Sequence, residues 1–421
     1  MNIAPRFGFA WDIGGHGKNV VRGGYGISYD RMATVYTAGY RENPPLAATA
    51  ALGLLLGTPN FPYQLGDESK PNFGHPVDPR LQVGLDERNG IKGARVLIRA
   101  IDDNFNNPYA HNWFLGYQRA LPGQLVLETS YIGSMGVHLI NITDINRFAG
   151  DLTATDRVVN GYNPSFNQIA LAQTNSRSAY HGATVSVRKQ FSRGFSFSGN
   201  YTYGKVLTDS EAEQDITNFY NPDNRRMDRS FASFDVPQRV ALVGVWEMPF
   251  LRGCSSFACK AVGGWQLSGY ALMEKGRPLN VVNTAAFPNG DFNGDGVRSD
   301  RPNAPAESLK RSGFSKQEYL TGIFKVSDFP VPASGTYGNL GRNTFRAPGF
   351  ARVDLSLLKT LPLTERVSAN LRLEAFNALN GTNLSIPATN PPTGDMNNNN
   401  FGKVTSADPG RVYQVSLTLR F

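Results

Sequence analysis

GRVYQVSLTLRF, residues 410–421, decides how the rest of the chain is read. Tyr413, Val415, Leu417, Leu419 and Phe421 share one parity, and Gln414, Ser416, Thr418 and Arg420 share the other. A period of two predicts a β-strand, because successive side chains of an extended chain point to opposite faces. Upstream, VSANLRLEAF sets Val367, Ala369, Leu371, Leu373 and Ala375 against Ser368, Asn370, Arg372 and Glu374. FARVDLSLLK sets Ala351, Val353, Leu355 and Leu357 against Arg352, Asp354 and Ser356. Only TLPLTER separates these two segments, which predicts an antiparallel pair.

The pattern continues backwards in pairs. GWQLSGYALM follows QRVALVGVWEMPF, FSFSGNYTYG returns onto YHGATVSVRKQF through residues 192–194, and QLVLETSYIG returns onto NPYAHNWFLGYQRAL through Pro122 and Gly123. IAPRFGFAWD and NVVRGGYGISYD flank the turn IGGHGK. The count is about eleven strands of roughly 9 to 16 residues, the shorter of which match a tilted membrane-crossing strand. Short turns near residues 12–18, 121–124, 191–194, 250–262 and 362–366 alternate with long connections near 32–107, 143–175, 210–235, 283–345 and 382–409. Every long connection therefore leaves from one end of the sheet. Long loops are uncommon inside compact domains, whereas outer-membrane barrels pair short turns at one end with long loops at the other.

Composition sets the outer bounds. The 421 residues carry 42 Lys+Arg against 34 Asp+Glu, a net charge of +8, and only 18 % are charged while 11 % are aromatic. That balance argues against disorder. No run approaches the 18 apolar residues of a membrane helix. LAATAALGLLLG, residues 46–57, lies between Pro45 and Pro59 and reads as a loop helix. MNIAPRFGFAWD lacks the basic and apolar regions of a signal peptide, so the expectation is a protein that is not exported or whose beginning is missing.

Alternation alone does not choose between a soluble barrel, apolar face inward, and a membrane barrel, apolar face outward. The polar set, with Arg352, Asp354, Arg372, Glu374, Glu128, Arg188 and Arg420, suits a hydrated lumen. Trp11, Trp246, Trp265, Tyr413 and Phe421 suit an interfacial girdle, since amphipathic rings prefer the headgroup level. The fold expected over residues 1–421 is all-β: an antiparallel transmembrane β-barrel domain, here about eleven strands.

Several stretches resemble one family: NIAPRFGFAWD, NVVRGGYGISYD, NPYAHNWFLGYQRALPGQLVLETSYIGSMGVHL, YHGATVSVRKQFSRGFSFSGNYTYGK, GGWQLSGYALMEKGRPLNV and APGFARVDLSLLKTLPLTERVSANLRLEAFNALN. Together they resemble the C-terminal half of an Oar-like TonB-dependent outer-membrane receptor. The resemblance implies the second half of a twenty-two-strand-type barrel, in the outer membrane of a Gram-negative bacterium. It implies outer-membrane lipid as surroundings, and uptake of an unidentified substrate captured by long external loops. TonB is implied only through an N-terminal plug and TonB box that this chain lacks. Tyr413, Val415, Leu417, Leu419 and Phe421 resemble the signal read by the outer-membrane assembly machinery. Two alternatives stay open: a structural or adhesive outer-membrane barrel, and a soluble β-rich binding protein.

Other chemistry is sparse. DFNGDGVRSDRP places Asp291, Asn293, Asp295 and Gly296 at positions 1, 3, 5 and 6 of a calcium loop, with Ser299 and Asp300 nearby. Pro302 stands where a bidentate Glu belongs, and the other reading is an Asx-rich turn. Cys254 and Cys259 in LRGCSSFACK form either a small disulfide or two ordinary thiols, and they lack zinc partners. His16, His75, His111, His138 and His181 are scattered, and GxSxG, HExxH and Walker sequences are absent, so no catalytic residue and no enzyme is expected. The basic residues are dispersed without the aromatic interleaving of a nucleic-acid surface.

Overall fold

The computed structural model describes residues 2–31, 43, 86–88, 90, 95–153, 158–211, 219–249, 262–364, 366–386 and 392–421. The proposed loop helix at 46–57, Cys254 and Cys259 lie outside these residues.

One large sheet dominates. Its main path joins β1 (Arg6–Asp12), β2 (Asn19–Tyr29), β4 (Tyr109–Leu121), β5 (Leu125–Asp144), β6 (Phe166–Ser192) and β7 (Phe195–Thr208). It continues through β9 (Gln238–Glu247), β10 (Trp265–Glu274), β13 (Phe350–Pro362), β14 (Ser368–Phe376) and β17 (Val412–Arg420). All neighbours on this path pair antiparallel. Two short strands join its margins, β3 (Val96–Ile101) on β6 and β8 (Ser230–Phe231) on β7. The outermost strands β1 and β17 do not pair with each other, so the sheet is open.

Turn chemistry sets the short end. Gly14, Gly15 and Gly17 all have positive φ in the β1–β2 turn, a conformation that costs glycine nothing, and Gly17 N donates to Asp12 Oδ2 at 2.8 Å. Arg193 and Gly194, both at positive φ, close the two-residue β6–β7 hairpin, whose twist matches the flanking strands.

Two expectations need correction. β5 and β6 run well into the connection expected at 143–175, reaching 20 and 27 residues. Within the connection expected at 32–107, β3 pairs with β6 in parallel, an exception to a purely antiparallel sheet. Both departures lie at the long-loop end. There Asn141, Thr143 and Ser176 are buried, and neighbouring loops rather than an apolar phase decide which side chains turn inward.

Register keeps the two faces distinct across the sheet. Trp246, Leu267, Leu357, Leu373 and Val415 form one rung over five strands, while the neighbouring rung holds Val245, Ser268, Ser356, Glu374 and Gln414.

The principal hydrophobic core lies in the long connections instead. Leu279, Val281, Ile323, Phe324, Phe329, Leu340 and Phe345 from residues 275–349 pack with Leu384, Met396, Phe401 and Val404 from residues 377–411. β11 (Pro278–Leu279) pairs with β12 (Phe345–Arg346), and β15 (Leu384–Ser385) with β16 (Ser406–Ala407). One short helix, α1 (Lys316–Thr321), completes this cap. Ser315 N-caps the helix, accepting from Glu318 N at 3.2 Å, while Glu318 Oε2 accepts from Ser315 N at 2.5 Å.

Candidate functional site

Three surfaces carry the candidate function: the apolar face of the sheet, its polar face, and the cap. On the apolar face Leu242, Leu373, Val415 and Leu417 are exposed. Among the described residues each strand of the sheet packs chiefly on its hydrogen-bonded neighbours, and no second large sheet covers the apolar face. Trp11, Trp246, Trp265 and Phe421 sit towards the short-turn end, and Tyr413 towards the other.

A second aromatic band, not anticipated from sequence, lies on the same face towards the long loops. Tyr25 pairs across strands with Trp113, and Tyr29 with Tyr109. The Tyr25 hydroxyl lies 2.6 Å from His111 Nδ1, and the Tyr131 hydroxyl 2.7 Å from His181 Nδ1. These histidines look scattered along the chain because the pairing of β2, β4, β5 and β6 is what gathers them.

The polar face carries the expected charges as ion pairs: Arg352 with Asp354 at 2.7 Å, Arg372 with Glu374 at 3.7 Å and Arg239 with Glu274 at 3.0 Å. It is not uniformly polar. Phe114 lies directly across from Ile132, and Val243 across from Tyr270, with all four exposed.

Buried arginines knot the cap together. Arg147 reaches Asp295 at 2.5 Å and donates to the Phe219 carbonyl, which joins three connections at one point. Arg301 pairs with Asp228 at 3.2 Å, donates to Met227 O at 2.9 Å and lies 4.3 Å over the Tyr220 ring. The Tyr220 hydroxyl donates to Arg301 O at 3.0 Å and accepts from Gly338 N at 2.6 Å. Burial pushes the Tyr220 phenol upward, reinforced by the nearby Asp300 charge.

The calcium-like loop lies inside this knot. Asp291, Asn293, Asp295 and Asp300 come together as buried side chains, whereas Ser299 is exposed. Asp291 accepts from Asp295 N and Gly296 N, Asp295 from Val297 N, and Asp300 from Asn293 N at 2.7 Å. Burial raises all three carboxyls, and Asp300 is pushed up to about 7, with Asp295 and Asp291 adding like charge beside it. Among the described residues no group of three or more His, Cys, Asp or Glu side chains is placed to hold a metal ion. The carboxylates here accept from backbone amides, from the Asn293 side-chain amide and, at Asp295, from Arg147.

The sequence matches the family described as outer membrane beta barrel domain over residues 1–414. The chain belongs to that family. Among solved structures, the outer membrane transporter YddB from Escherichia coli is similar at a TM-score of 0.51 and 11 % identity, over 100 % of this chain and 40 % of that one. The FrpB iron transporter from Neisseria meningitidis, F3-3 variant, aligns at a TM-score of 0.45 and 10 % identity, over 100 % of this chain and 39 % of that one. This chain thus spans about two fifths of the length of these proteins. No curated protein matches it.

Membership in the outer membrane beta barrel domain family orients the surfaces. The protein resides in the outer membrane of a Gram-negative bacterium. Its exposed apolar face meets lipid, its polar face lines the interior, and the cap stands outside the cell. The two aromatic bands then lie near the two headgroup regions.

Proposed function

We propose that this chain is part of the barrel wall of an outer-membrane uptake receptor, of the TonB-dependent, Oar-like kind, whose external cap captures the substrate. The observation that carries this reading is the pair of exposed apolar spots on the luminal face, Phe114–Ile132 and Val243–Tyr270. A wall that faces only channel water gains nothing from exposed Phe and Ile, whereas a wall packed against a plug buries them. In this reading coupling to TonB resides in a plug that packs on these spots. The β17 segment with Tyr413, Val415, Leu417, Leu419 and Phe421 serves as the recognition strand for the assembly machinery, and its exposed edge supports that role.

The test is made in the native organism. Deleting the gene leaves a solute in spent medium that the parent strain removes, and complementation restores its removal. Ile132→Arg or Val243→Arg abolishes uptake while the protein keeps heat-modifiable gel mobility. Undiminished uptake in both variants, with folded barrels, rejects the reading. Unchanged solutes together with reduced cell adhesion in the deletion strain favour a structural barrel instead.

A further inference from the structure

Beneath the cap, on the lipid-facing side of the sheet, lies a pocket of about 660 Å³. Its floor is a single rung of the apolar face, Tyr201, Val240, Met273 and Ala351, which register places side by side on β7, β9, β10 and β13. Phe314 and Lys316 of the cap overhang it. Four charged residues border the pocket: Lys275, Lys316, Arg346 and Glu274, whose side chain lies with Arg239 on the polar face of the sheet. Glu274 is matched by Arg239 at 3.0 Å, and Arg346 by Asp235 at 2.8 Å. Lys275 and Lys316 are exposed and make no ion pair among the described residues. The pocket therefore presents two uncompensated cations above an apolar floor, at the outer rim of the membrane band.

Farther down the same strands is a second hollow of about 560 Å³, lined by Phe195, Trp246, Leu267 and Leu355. It exists because Gly244 and Gly269 face each other across β9 and β10, and a Cβ on Gly269 would come within 3.0 Å of Leu355. Val240 and Gly244 are four residues apart on β9, about 13 Å along the strand. Leu242, Ala271 and Val353 form the apolar rung between the two hollows.

We propose that this track holds one phosphorylated anionic lipid of the outer leaflet, its headgroup phosphate between Lys275 and Lys316 and an acyl chain running down into the Gly244–Gly269 hollow. Charge complementarity selects the headgroup, because juxtamembrane cations attract anionic lipid and long lysine stems reach the headgroup level from an apolar surface. The apolar floor selects a lipid over a free phosphate, which gains nothing from Val240 or Met273. The inference rests on family membership and is independent of the uptake reading.

The test uses protein extracted from outer membranes in non-ionic detergent. Native mass spectrometry counts lipid retained after addition of phosphatidic acid or, in parallel, phosphatidylcholine with the same chains. One phosphatidic acid is retained at least about tenfold more strongly than phosphatidylcholine. Lys275→Gln with Lys316→Gln removes this preference, and each single variant is intermediate. Lys18→Gln with Arg366→Gln, which removes the same charge at the short-turn end, leaves it intact. Gly269→Leu fills the lower hollow and weakens retention of both lipids. An undiminished preference for phosphatidic acid in the Lys275/Lys316 double variant overturns the proposal. So does displacement of phosphatidic acid by millimolar inorganic phosphate, which reassigns the cations to a soluble anion, or crosslinking of Met273→Cys to a second copy of the chain.

Discussion

In the sheet, Val415 and Leu417 are each 66 % exposed, whereas in the cap Phe345 and Phe329 are 0 % and 2 % exposed. Both regions are rich in large apolar side chains, yet they use them in opposite ways. The cap stands in water, so its phenylalanines stabilise it by leaving water for one another. The sheet stands in lipid, where burying a leucine against protein offers little over leaving it against acyl chains. What holds the sheet is its ladder of backbone hydrogen bonds, which hydrocarbon makes obligatory. Apolar content therefore locates a core only where water is the surrounding solvent.

The sharpest test of this contrast is Phe345→Ala. It leaves a cavity at the centre of the cap and costs about 3–5 kcal/mol of local stability. Proteolysis of residues 275–349 should accelerate greatly while the barrel keeps its heat-modifiable mobility. Parallel loss of the barrel would show that the two regions fold as one unit. Leu373→Arg places a charge on the lipid face near the middle of β14 and costs about 2–4 kcal/mol, read as a lowered urea midpoint in lipid vesicles. Ser416→Arg, on the other face of the neighbouring strand, stays within about 0.5 kcal/mol. Equal costs would erase the assignment of faces.

A third test uses pH. Burial disfavours the charge of Asp300 and pushes its carboxyl up to about 7 in the folded cap, against about 4 in an unfolded chain. The folded cap thus binds the proton more tightly. The stability contributed by Asp300 is fully present below about pH 4 and is lost as pH rises through about 7. Asp300→Asn should flatten this decline in the urea midpoint of the cap. The smallest effect is expected from Ser315→Ala, which removes the N-cap of α1 and costs about 1 kcal/mol. Faster amide exchange confined to residues 316–321 is the readout.

The sheet was legible in the sequence because a period of two survives through most of its strands. Leu371 and Leu373 announce their face without knowledge of any partner. The alternation of short and long connections was legible for the same reason. The cap was not, because Leu279, Phe345 and Phe401 come from distant positions with no shared period, and only strand pairing brings them together. The band of Tyr25, His111 and His181 was hidden by the same separation. The spacing of Asp291, Asn293 and Asp295 was visible, but its partner Arg147 lies on another connection and carries no local mark. Phe114 and Val243 were missed because they break parity, and breaks in a pattern look like noise until their cross-strand neighbours are known.

The two stretches that share the cap core are separated in sequence by the β13–β14 hairpin, whose tip lies at the opposite end of the sheet. The closed cap therefore depends on the register of that hairpin, since a slip by one residue turns Leu355 and Leu373 to the wrong side. An antibody specific for the closed cap would therefore recognise only chains in which the β13–β14 hairpin has brought residues 275–349 and 377–411 together.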